Sequence, residues 1–224
     1  MSQMDKTYIN EMQKQFGYFP AWAPNRPYEL GDYGDPQNDQ FEMLGNIRKW
    51  VTPKPSSHAS GPMYYTSTGD VKVNVDFGAA DVTKQAQVDL KINFAKKWGI
   101  FFLAQNPTVI TTQNLEQVGD KIVSVYKQSG KDWRLSYTWI AELIKAEYLT
   151  VLISLESSTD ITLSGKAPIT AQGVPVAQLD LRNFSVTKNA SRVMSYQGAN
   201  LTPLFRLYEV KDPITKKAYY TEYK

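Results

Sequence analysis

Asp132-Trp133-Arg134-Leu135-Ser136-Tyr137-Thr138-Trp139, continuing through Ile140-Ala141-Glu142-Leu143-Ile144-Lys145-Ala146-Glu147 into Tyr148-Leu149-Thr150-Val151-Leu152-Ile153-Ser154, is the stretch that decides the fold. Trp133, Leu135, Tyr137 and Trp139 share one parity and Arg134, Ser136 and Thr138 the other. A period of two is the pleat of a half-buried strand, so both tryptophans are expected on one buried face. The β-branched run after Glu147 reads as a second strand. Residues 141–147 would suit a helical turn, but a tight connection between two paired strands is the preferred reading.

Working outward, the same signal recurs. Val71, Val73 and Val75 alternate with polar residues, as do Val88, Leu90, Ile92 and Phe94. The apolar run 98–104 has no polar partner parity, which predicts a strand buried on both faces. Further strands fit 40–47, 159–164, 179–187, 204–210 and, after an Asp212-Pro213 turn, an edge strand at 218–223. Tyr64 and Tyr65, adjacent on a strand, should face opposite ways.

Two segments have helical spacing. Met4, Tyr8, Met12 and Phe16 lie four apart behind Ser2 and Asp5, which resemble a capping pair, and Gly17 and Pro20 close the segment. Leu115, Val118, Ile122, Val125 and Tyr126 form a stripe that predicts a helix over 115–129, capped by Asn114 and ended by Gly130. Prolines and glycines predict loops at 20–39 and 52–62 and another at 165–175. The fold class is therefore α+β: one domain over 1–224, a large twisted antiparallel sheet with two principal helices.

The chain has 224 residues, 42% of them hydrophobic and 21% charged, enough apolar material for a sizeable core. A net charge of +3, with basic residues singly or in pairs such as Lys96-Lys97 and Lys216-Lys217, does not form the basic stripe of a nucleic-acid binder. There is no cysteine, which excludes disulfides, thiolate catalysis and Cys-ligated metal. The first residues lack the apolar core of a signal peptide and no 18-residue apolar span occurs, so a cytoplasmic protein is expected.

Catalytic chemistry finds little to use. His58 is the single histidine, in a Pro/Ser-rich segment expected to be exposed, and any Ser–His catalysis would have to pass through it. The acidic segment 29–39 lacks the spacing of a helix-flanked calcium loop. No glycine-rich phosphate loop follows a strand. No catalytic residue, metal or cofactor is assigned. The aromatic and acidic residues of the Pro-rich loop, Trp22, Tyr28, Asp32, Tyr33 and Asp35, are the candidate binding residues, because exposed rings stack on sugars, bases or protein partners.

The stretch quoted above, with 200–208 (Asn200-Leu201-Thr202-Pro203-Leu204-Phe205-Arg206-Leu207-Tyr208), resembles gasdermin N-terminal domains over residues 132–210. The shared features are a long strand ending in an acidic Ala/Lys bend, a β-branched strand after it, and a closing strand. The resemblance implies a twisted antiparallel sheet and, as one alternative, a membrane-acting, pore-forming protein. The chain departs from that pattern in having no cysteine to accept an acyl chain and no basic first helix, since Lys6 and Lys14 are set against Asp5 and Glu11. The residues themselves favour a non-enzymatic binding or assembly module, with a protein partner or self-association. A carboxylate-dependent enzyme is the second alternative.

Overall fold

The computed structural model describes residues 2–36, 40–67, 69–129, 131–212 and 217–223. In chain order its elements are α1 (Gln3–Phe16), β1 (Phe19–Pro20), β2 (Asp32–Asp35), β3 (Glu42–Asn46), β4 (Pro55–Ala59), β5 (Met63–Thr66), β6 (Val71–Ala80), β7 (Gln85–Phe94), β8 (Ile100–Gln105) and β9 (Thr108–Thr112). Then follow α2 (Leu115–Ser129), β10 (Thr138–Ser154), β11 (Thr159–Pro168), β12 (Ser185–Lys188), β13 (Val193–Lys211) and β14 (Tyr219–Glu222). The fold is α+β, as expected, with every strand pair antiparallel.

β10 is the axis of the molecule. Its 17 residues run without the expected turn at 141–147. One edge pairs along its whole length with β13. The other edge takes β2, β9 and β8 in succession. Two bulges, between Ile140 and Glu142 and between Ile144 and Ala146, supply the bend that the acidic Ala/Lys sequence suggested. A bulge adds twist without ending a strand, so the ladder survives where a turn was expected. β1 and β14 extend β13, β3 extends β2, β4 extends β9 and β5 extends β8, completing a ten-stranded sheet. A second sheet has the order β12-β11-β7-β6.

The two sheets and α1 stack in three layers. β8 is the middle one, buried at every residue. Phe101 and Leu103 face the small sheet, where they meet Leu90, Ile92, Phe94, Ile161 and Leu163. Ile100, Phe102 and Ala104 face α1, which covers them with Tyr8, Ile9 and Met12. The neighbours Tyr64 and Tyr65 divide between these two clusters, as their adjacency requires. Ser2 and Asp5 form the anticipated capping box, Asp5 N donating to Ser2 Oγ at 3.2 Å, and Gly17 ends α1 with a φ of 69°. That left-handed value costs glycine nothing. α2 turns Val118, Ile122, Val123 and Val125 onto Trp133 and Trp139.

Several expectations are corrected. Residues 133–137 are a turn, with Tyr137 N donating to Arg134 O, and the strand begins at Thr138. Trp133 and Trp139 are nevertheless both fully buried in one cluster, while Leu135 is 44% exposed. The loops 20–39 and 52–62 contain paired strands, β2 and the end of β1 in the first and β4 in the second. Pro20 and Pro55 sit on short outer strands, where proline is tolerated. Residues 179–184 are not a strand: Leu179, Leu181 and Phe184 are buried by a strap of short turns from 169 to 184 that closes the small-sheet cluster. The strand at 159–164 pairs with β7 in the small sheet and extends to Pro168, into the loop expected at 165–175. His58 is exposed, on β4. The Asp212-Pro213 turn, Lys216 and the Gly130 helix end involve positions 213, 216 and 130, which lie outside the described residues.

Candidate functional site

The residues of the Pro-rich loop go to different places. Trp22 packs against Tyr8 and Tyr196, with ring centroids 5.4 and 6.0 Å away, on the α1 side. Tyr33 lies in the α2 cluster between Trp50 and Trp133, and its phenol oxygen accepts from Lys49 Nζ at 2.8 Å. Asp32 is structural: it accepts from Glu29 N at 2.8 Å and Asn46 Nδ2 at 2.9 Å. Burial holds its carboxyl above the usual carboxylate range, and those two hydrogen bonds offset only part of the rise. Asp35 ends β2, partly exposed. Tyr28 is set apart from the others, its ring on Phe41 and Phe205 and its edge forming the wall of a cleft.

That cleft, about 340 Å³, lies between the loop and the large sheet. Ile110 of β9 and Leu143 of β10 are opposed on its floor. Lys145, Arg48 and Asn200 bring polar groups to it. Sequence reading did not find these last three. Lys145 interrupts the apolar run from Leu143 to Ala146 in the sequence, whereas the φ of 57° at Asn200, beside a bulge in β13, shows only in the structure. Among the described residues no group of His, Cys, Asp and Glu could hold a metal ion.

The small sheet has the strongest chemical asymmetry. β6 and β7 form a hairpin of two ten-residue strands. Its inner row, Val88, Leu90, Ile92 and Phe94, is buried under Phe101 and Leu103, with Val71, Val73, Val75 and Phe77 packed beside it. Its outer row carries Lys72, Asn74, Asp76, Asp89, Lys91 and Asn93, with Lys91 Nζ 2.5 Å from Asp76. β6 is an outer strand of that sheet, and Val82 at the hairpin tip is fully exposed. Among the described residues no helix is long and apolar enough to cross a membrane.

No family model and no curated protein matches the chain. A solved structure of a bacterial gasdermin is similar. It comes from Bradyrhizobium tropiciagri, is 10% identical, and superposes with a TM-score of 0.41 over 96% of this chain and 90% of that one. The similarity is to the family that residues 132–210 resemble in sequence.

Proposed function

We propose that this chain is a non-enzymatic assembly module that acts on membranes, a cytoplasmic protein in its folded form and a gasdermin-like pore-former once it self-associates. The observation that carries this is the β6–β7 hairpin. Each strand has ten residues, and apolar and polar side chains alternate over 71–77 of β6 and along the whole of β7. A membrane-spanning β-strand needs about 9–11 residues, with one parity toward lipid and the other toward water. In the folded chain the apolar parity rests on β8 and the strap. Moved to a bilayer, the same row would face hydrocarbon while the Lys/Asp/Asn row faced an aqueous lumen. A single hairpin leaves its outer edges unpaired in lipid, so several copies must close the sheet, which is why self-association belongs to the proposal.

The test is dye release from liposomes with and without anionic lipid. Release is expected, and Val82→Asp should reduce it, because the tip must enter first and an acidic residue there opposes entry. Val82 touches no core cluster, so the melting temperature of the variant should equal that of the parent. No release from either lipid mixture, or equal release by Val82→Asp, defeats the reading.

A further inference from the structure

The cleft beneath Tyr28 plays no part in the hairpin argument and stands independently of it. Its charges stand differently from those of the cleft beside β8. In the cleft beside β8, Arg182 is already paired with Asp180 at 2.6 Å and Glu147 at 2.9 Å. On the outer face of the small sheet, Lys91 is paired with Asp76, and Lys188 lies among the polar side chains of Asn74, Asn93, Thr162 and Asn189. Under Tyr28, Arg48 pairs with Glu29 at 3.0 Å, but among the described residues Lys145 has no carboxylate within ion-pair distance. Lys145 is exposed and lies two residues from Leu143 on β10, hence on the same face of the strand.

The walls are held in place before any ligand arrives. Thr202 Oγ1 donates to the Tyr28 carbonyl at 3.2 Å, and Gly31 N donates to Ile140 O at 2.9 Å. The Tyr28 ring is wedged on Phe205. The volume, about 340 Å³, falls in the range of small-molecule sites, roughly 300–1,000 Å³. An apolar floor, fixed walls and one uncommitted cation at the mouth together select a ligand with an apolar body and an anionic head.

The geometry points to a binding site for a small, free amphipathic anion. A single chain lies on Ile110 and Leu143, and a carboxylate or phosphate-monoester head is held by Lys145 with the Asn200 side-chain amide beside it. Arg48, neutralised by Glu29, shapes the mouth.

Isothermal titration with monomeric decanoate, decanol and decyltrimethylammonium tests this on the full chain. Decanoate should bind at one saturable site. Decanol should bind roughly tenfold more weakly or worse, since a charge-assisted hydrogen bond contributes about 1.5–3 kcal/mol and each 1.4 kcal/mol is tenfold. Lys145→Glu, at an exposed position, should remove that preference, and methyl shifts on decanoate binding should centre on Ile110 and Leu143. Ile110→Trp, which fills the floor, should abolish binding, with a thermal melt to show that it folds. Equal affinity for the three probes, unsaturable heats, an unchanged Lys145→Glu variant or shifts centred elsewhere would overturn the site. Displacement of decanoate by anionic vesicles, but not by monomeric dodecyl phosphate, would overturn the free-amphiphile source in favour of lipid headgroups.

Discussion

Trp133 and Trp139 meet edge to face, their ring centroids 5.9 Å apart and their planes at 71°, although Trp139 alone lies on a strand. Tyr33, Trp50 and Tyr137 complete an aromatic cage around Trp133. Among the described residues neither indole N–H has a hydrogen-bond partner, so both rings act through packing. Trp133→Ala should therefore cost about 3–5 kcal/mol. Trp133→Phe should cost clearly less, since it leaves a smaller void and gives up no hydrogen bond. Urea unfolding of the two variants checks the order, and equal losses would contradict it.

α2 should not tolerate the substitution that helix propensity recommends. A Cβ on Gly119 would stand 2.3 Å from Cδ1 and 2.4 Å from Cγ of Tyr220 on β14. Alanine contributes about 0.8–1.0 kcal/mol over glycine in a helix interior, but here it must displace a ring near its own backbone. Gly119→Ala should lower the melting temperature, and the sign should reverse in a Tyr220→Ala background. Ile122→Ala, on the buried stripe of the same helix, should cost about 2–5 kcal/mol in either background.

Gln105 ties the strap to β8. Its side-chain amide donates to Leu179 O, and its oxygen accepts from Leu181 N at 3.0 Å. Gln105→Leu keeps the apolar volume but orphans both backbone groups, each at about 1–3 kcal/mol. Limited proteolysis should cut between 169 and 184 faster in this variant than in the parent. An unchanged cleavage pattern would mean the strap is held by Leu181 and Phe184 alone.

Stability should fall in alkali through two tyrosines. Burial first, then hydrogen bonding to Glu142, raises Tyr18 to about 12, and burial with Glu11 raises Tyr65 to about 12, from an ordinary 10.0. The folded state thus holds these protons more tightly than the unfolded chain. Their contribution is intact below pH 10 and lost as pH rises from 10 toward about 12. Denaturant titrations across that window should show a shallower loss for Tyr18→Phe/Tyr65→Phe than for the parent.

Strand positions were legible where one face is wet. Val71 to Phe77 and Val88 to Phe94 alternate because water sees one side of them. Along 133–137 and 179–184 apolar residues recur in turns, with Trp133, Leu179, Leu181 and Phe184 reaching inward and Leu135 left exposed, so period alone assigned strands there. The uninterrupted run of β10 was hidden because β13 covers one edge, three strands share the other, and most of both faces is buried. Partners from distant sequence made that environment. The candidate site was legible at Tyr28 alone. Lys145 and Asn200 reach the same cleft through the β10–β13 pairing, in which Ala146 opposes Leu201, and no local pattern encodes that.

The pairing of β10 with β13 also sets an order of events during synthesis. β13 spans Val193–Lys211, so the central strand of the molecule, which ends at Ser154, waits for a distant strand before its longer edge is covered. Until then Leu149, Val151, Leu152 and Ile153 belong to an incomplete sheet with an open edge. Such an intermediate is a substrate for chaperones and a template for mispairing between nascent chains. A ribosome stalled before residue 193 would carry a polypeptide unable to assemble its own centre.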